Sequence, residues 1–179
     1  MTTYSVTEML NLYRNRLGLS KVLMLPAEQE RQPIDRELLS VLRSRYLHLL
    51  ATEDLDLLPV ADVGAACTAH FLASGVLHIV MPDRCIRPVS LRLECWNEPV
   101  YAFHRTGSAL HRRQRLPLLR GSVANPVVFR YSDRLLVYGA RQEEDSVPQI
   151  ELMAVAPPDD GSFRLSSALL PKMLEASPQ

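Results

Sequence analysis

The order of the hydrophobic patterns constrains this fold more than any single motif. Stretches with helical spacing come first, and short strand-like stretches in close succession follow. In a chain built from βαβ units the two kinds alternate. Here they do not, so the pattern predicts an α+β fold: N-terminal helices followed by a mainly antiparallel β-sheet with a short inserted helix.

The helical half carries start and stop signals. Ser5 followed by Glu8 is a capping-box pair, in which each side chain satisfies the other residue's backbone N–H. Val6, Met9, Leu10, Tyr13 and Leu17 continue at helical spacing, and Gly18 is a natural stop. Lys21–Leu25 is a short apolar patch closed by Pro26, and residues 26–33, polar with two prolines, read as a loop. A second helix is expected from Asp35, with Leu38, Leu39, Leu42, Tyr46, Leu49 and Leu50 along one face. Each helix has one apolar stripe that must be buried against another element.

Strands are expected at Thr68–Leu72 and Val76–Val80, turning at Ser74-Gly75, then at Ile86–Cys95, Val100–Phe103, Val127–Tyr131, Leu135–Tyr138 and Ile150–Val155. Val89, Leu91, Leu93 and Cys95 alternate with Ser90, Arg92 and Glu94, the mark of a half-buried strand. Leu91, Leu93 and Trp96 are therefore expected in the core. Ser132-Asp133 reads as a tight hairpin turn. Ser108–Arg115 is the inserted helix, with Ser108 as its cap, and Ser166–Leu174 a last short helix interrupted by Pro171. Gln142–Ser146 and Ala156–Ser162 are polar loops. The resulting division is a helical part (1–56), a β-rich core (57–156) and a C-terminal tail with a short helix (157–179). The polar end of that tail, Ala176–Gln179, is expected to dock only on assembly.

Charge adds an asymmetry. The chain has 20 basic and 20 acidic residues, but the stretch from Asp83 to Arg141 holds 11 arginines against 4 acids, or +7. Residues 1–82 carry 7 basic and 9 acidic groups (−2), and residues 142–179 carry 2 and 7 (−5). Only Lys21 and Lys172 are lysines. Arginine, planar and weakly hydrated, is the better interface cation. A positive middle and negative ends allow copies of the chain to meet through opposite charges. At 47% hydrophobic and 22% charged residues the composition excludes a disordered chain, and no apolar run approaches a membrane span. No secretory signal is visible, and three cysteines at no metal-like spacing favour a reducing compartment.

Reactive chemistry finds little support. The seven glycines form no phosphate-binding loop, and the five histidines never occur as HxH or HExxH. His70, His78, Cys67 and Cys85 could together hold zinc, but apolar flanks make the cysteines core thiols. Asp54/Asp56 and Asp159/Asp160 lie in turn-like segments, where aspartate caps and turns. No catalytic, cofactor or metal residue is therefore assigned, and no cofactor is expected. The basic run His111-Arg112-Arg113-Gln114-Arg115, with Arg120 after it, suits an acidic partner or phosphate, although it lacks interleaved aromatics.

One region is more specific. Ile79-Val80-Met81-Pro82-Asp83-Arg84-Cys85-Ile86-Arg87-Pro88-Val89 leads to Trp96-Asn97-Glu98-Pro99-Val100, then to Gln114, Arg120-Gly121, Asn125-Pro126-Val127-Val128 and Leu135-Leu136-Val137-Tyr138. Over about residues 57–140 this resembles the head–tail adaptor or ring proteins of short-tailed phages, particularly crAss-like phages and others infecting relatives of Bacteroides. The resemblance implies a non-enzymatic virion component, present in the host cytoplasm before assembly. It implies a homo-oligomeric ring below the portal, with the portal protein and a tail or second-ring protein as partners, a DNA path alongside and no membrane. Arg112, Arg113, Arg115 and Arg120 would then meet an acidic partner or a neighbouring copy, with Asp159 and Asp160 as candidates for the complementary side. A cytosolic mobile-element accessory protein that binds protein or nucleic acid, and a small Cys/His or carboxylate hydrolase, are the alternatives.

Overall fold

A computed structural model of the chain describes residues 1–19, 28–142 and 148–175. The expectations for Lys21–Leu25, for most of Gln142–Ser146 and for Ala176–Gln179 fall outside those residues. In chain order the elements are β1 (Thr2–Tyr4), α1 (Val6–Arg16), α2 (Glu28–Thr52), β2 (Val60–Asp62), β3 (Thr68–Phe71), β4 (Leu77–Val80), β5 (Arg87–Leu93), β6 (Phe103–Arg105), α3 (Ala109–Arg113), β7 (Val127–Tyr131), β8 (Arg134–Tyr138), β9 (Ile150–Val155), β10 (Phe163–Leu165) and α4 (Leu169–Leu174). The fold is α+β with mainly antiparallel sheets. No helix among the described residues is long and apolar enough to cross a membrane.

The chain divides into two compact units, Met1–Pro59 together with Ala156–Gln179, and Val60–Val155. The C-terminal stretch expected as a separate tail thus belongs with the N-terminal helices. The physical reason is pairing between the chain ends: Thr2, Thr3 and Tyr4 lie opposite Leu165, Arg164 and Phe163 in an antiparallel ribbon. Around it, Met9, Tyr13, Leu42, Tyr46, Leu50, Phe163, Leu165, Leu169 and Met173 are buried together. The Tyr46 hydroxyl donates to the Arg164 carbonyl (3.2 Å) and accepts from the Arg164 N–H (3.1 Å). Arg45 donates to the Met173 carbonyl at 3.0 Å and lies over the Tyr13 ring. At the start of α1 the capping box is complete, with the Ser5 N–H on the Glu8 carboxylate at 2.8 Å and the Glu8 N–H on the Ser5 hydroxyl at 3.2 Å.

Two expectations about prolines need correction. α2 starts at Glu28 rather than Asp35 and contains Pro33. Pro33 lies just beyond the first turn, so its missing N–H removes only one helical bond and leaves the buried stripe of Leu42, Tyr46, Leu49 and Leu50 whole. Pro171 does not interrupt its helix, because α4 starts at Leu169 and places the proline in the first turn.

The second unit holds two sheets. One has the order β2-β9-β5, all antiparallel, and the other β3-β4-β8-β7-β6, antiparallel except for the parallel pair β6–β7. The inward faces are apolar: Leu91, Leu93, Leu152 and Ala154 on one sheet, Leu77, Ile79, Val128, Leu135 and Val137 on the other. β5 is an edge strand, so Pro88 costs no ladder bond, and its register to β9 shifts between Pro88 and Ser90, a β-bulge. Trp96, only 3% exposed, links the sheets by donating its Nε1–H to the Gly139 carbonyl at 2.9 Å. Gly139 has φ 94°, and a Cβ there would stand 2.2 Å from the Ser122 carbonyl oxygen, so only glycine fits. The β7–β8 turn is the expected Ser132-Asp133, with Ser132 in the left-handed region at φ 54°.

Candidate functional site

The basic run stands on one face of the five-stranded sheet, and its geometry follows from a three-residue spacing. The Ser108 hydroxyl accepts from the His111 N–H at 3.2 Å and starts α3. His111 then sets its ring 4.8 Å from that of Phe129 on β7, and its Nδ1 accepts from the Gly107 N–H at 3.1 Å. Gln114 is 4% exposed, and its side-chain oxygen accepts from the Gly121 N–H at 2.8 Å. Arg120 donates to the Ser74 carbonyl at 2.6 Å and lies over the Tyr138 ring at 5.5 Å. Residues 111, 114 and 120 are thus anchors.

The residues between the anchors project outward. Arg112, Arg113 and Arg115 are exposed, and among the described residues none of them is paired with a carboxylate. Leu116 and Leu119 are each 54% exposed and Leu118 is 98% exposed. A leucine so fully in water leaves unclaimed the ~1.5–3 kcal/mol that its burial yields. Three cations and three leucines therefore form one projecting surface, held from beneath by His111, Gln114 and Arg120. The sequence grouped Arg120 with the other arginines, whereas the structure makes it an anchor. The exposed leucines do not figure in the sequence expectations, although Leu116-Pro117-Leu118-Leu119 beside a basic run is a visible signal.

Asp159 and Asp160 sit in an exposed turn of the other unit. The Asp160 carboxylate accepts from the Ser162 N–H at 2.9 Å, and hydrogen bonding to Ser162 lowers its pKa. These aspartates shape a turn as well as carrying charge.

The residues weighed for catalysis occupy structural positions. The Cys67 thiol is pushed up to about 11, first by burial and then by Cys85 and Asp62, and it donates to the Val63 carbonyl. Such a thiol is protonated at neutral pH and is a poor nucleophile. Burial also raises Cys85, whose sulfur contacts that of Met81. His70 and His78 are cross-strand partners with ring nitrogens 3.2 Å apart. Burial and then His70 lower the His78 pKa. Among the described residues no three His, Cys, Asp or Glu side chains are grouped to hold a metal ion. His104, like His111, lies against Phe129.

A second basic feature had no sequence signal. Arg87, Arg105 and Arg130, far apart in the chain, line one open cleft of about 450 Å³ with Pro88, Phe103 and Ser132.

No protein-family model matches this chain, and no curated protein is significantly similar to it.

Proposed function

We propose that this protein is a non-catalytic structural subunit of a tailed-phage virion, a ring component of the head–tail adaptor beneath the portal. The observation that carries the reading is the projecting surface of Arg112, Arg113, Arg115, Leu116, Leu118 and Leu119, anchored to the sheet by buried and half-buried contacts. Interfaces join an apolar centre to arginine and gain specificity from charge complementarity. The partner is an acidic-rimmed apolar surface on the portal, on a tail or second-ring protein, or on the next copy. In a closed ring each copy offers one surface to its neighbour and a different one to the next, a heterologous interface. The resemblance around Pro82-Asp83 and Trp96–Val100 supports the virion assignment, and the raised thiol argues against Cys67 as a nucleophile.

Co-sedimentation with portal-bearing particles tests this reading. A chain carrying Arg112→Glu, Arg113→Glu and Arg115→Glu keeps its circular dichroism, because exposed substitutions move stability by only about ±0.5 kcal/mol. It is expected to lose attachment at low salt. Equal attachment by wild type and variant would reject the reading.

A further inference from the structure

The cleft lined by Arg87, Arg105 and Arg130 has the chemistry of an anion site. Arg105 and Arg130 are direct register partners on the parallel strands β6 and β7. Their side chains leave the same sheet face, about 5 Å apart by strand spacing. Like charges placed this way repel, and an anion between them turns the repulsion into attraction. Arg130 is half-buried, and its guanidinium donates to the Ile86 carbonyl (3.2 Å) and the Ser132 carbonyl (3.4 Å). Those contacts orient it without neutralising it. Among the described residues that line the cleft none is a carboxylate, and Asp133, next to Ser132, lies toward Arg134 at 3.6 Å.

Arg87 comes from the other sheet of the same unit, at the start of β5 beside the bulge between Pro88 and Ser90. Bulges re-aim the side chains next to them. Phe103, two residues before Arg105 on β6, supplies an aromatic wall. Arginine forks match the oxygens of a phosphate, and an aromatic ring beside them stacks on a planar group. A cleft of about 450 Å³ has room for both.

We propose that this cleft binds a phosphate ester joined to a planar ring, as in a nucleotide or a nucleic-acid strand, with Arg105 and Arg130 on the phosphate and Phe103 against the ring. The proposal goes beyond the virion reading and does not depend on it.

The full chain is titrated into a short fluorescent oligothymidylate, and anisotropy is read at rising salt. Saturable binding is expected, with a salt dependence that Arg105→Gln lowers by about 0.7 in slope, the share of one single-strand phosphate contact. Arg105→Gln should weaken binding about tenfold, as loss of a charge-assisted hydrogen bond does. Arg92→Gln, on the exposed Arg92–Glu151 pair, serves as the control and leaves binding unchanged. AMP and oligothymidylate are then used as competitors. Displacement by AMP assigns the site to free nucleotides, and displacement by the strand alone assigns it to nucleic acid. The proposal is overturned by absence of binding at low salt, or by equal binding of Arg105→Gln and wild type. Displacement by polyglutamate as readily as by the strand also overturns it, since the cleft would then be reading an acidic protein.

Discussion

Arg120 donates a 2.6 Å hydrogen bond to the backbone carbonyl of Ser74, at the turn between β3 and β4. The bond fastens the far end of the arginine–leucine surface to a hairpin 46 residues away in sequence. An arginine that looks like part of a binding cluster is thereby part of the frame that presents it.

Removing the Gln114 anchor should be costlier. Gln114→Ala leaves the half-buried Gly121 N–H without its acceptor, at about 1–3 kcal/mol. Arg120→Ala, at a more exposed bond, should cost about 1 kcal/mol or less. Urea unfolding gives both values, and amide exchange at Gly121 should accelerate in Gln114→Ala. Unchanged exchange would mean that the segment holds its shape by other contacts.

Trp96 joins the two sheets of the second unit through its bond to Gly139. Trp96→Ala should destabilise by about 3–5 kcal/mol. Trp96→Phe keeps most of the volume but loses the Nε1–H bond to Gly139, so part of that loss should remain. The wild-type emission should be blue-shifted. Emission at the wavelength of water-exposed indole would contradict the burial.

Cys67 gives a pH dependence with a definite sign. Burial raises its thiol from 9.0 to about 11, so the folded state favours the neutral form. The associated stability is fully present below the unfolded value and is lost as pH rises from about 9 towards about 11. Cys85, raised in the same direction, adds to the trend. Cys67→Ala should flatten the fall in stability over that window. At pH near 8, iodoacetamide should label Cys67 far more slowly in the native chain than after denaturation. Equal labelling rates would contradict the burial.

In the first unit, the chain ends should stabilise each other. Met173→Ala should cost about 2–5 kcal/mol, because Met173 is fully buried in the helical core. Tyr46→Phe removes both hydrogen bonds to Arg164 and should cost about 1–2 kcal/mol. Thermal unfolding checks both. A Met173→Ala variant as stable as wild type would return the C-terminal stretch to the role of a loose tail.

The strands most legible in the sequence were those written as bounded apolar runs. Val127–Tyr131 and Ile150–Val155 were placed to the residue, since Asn125-Pro126 and Pro148 punctuate them. β1, β2 and β10 were missed. Each has three residues, and strands so short form only because a distant partner is present, as Thr2 is for Leu165. The apolar run predicts a strand starting at Val100, yet Val100 makes only an isolated bridge to Leu91, and β6 begins at Phe103. Among the site residues, consecutive Arg112 and Arg113 announce an exposed face. Arg120 does not announce Ser74, and nothing local joins Arg87, Arg105 and Arg130. Those groupings are made by strand order, which composition and spacing do not encode.

Leu118 is the most exposed large apolar side chain described, so it offers the most direct probe of the proposed interface. A photo-crosslinking phenylalanine derivative at position 118, in cells producing the particles, should yield ultraviolet-dependent adducts. The expected partners are the portal, a tail or second-ring protein, or a second copy of this chain, while the same group at Tyr101, which is 70% exposed, should give far less. Adducts at both positions alike, or none with a virion protein at position 118, would contradict the interface.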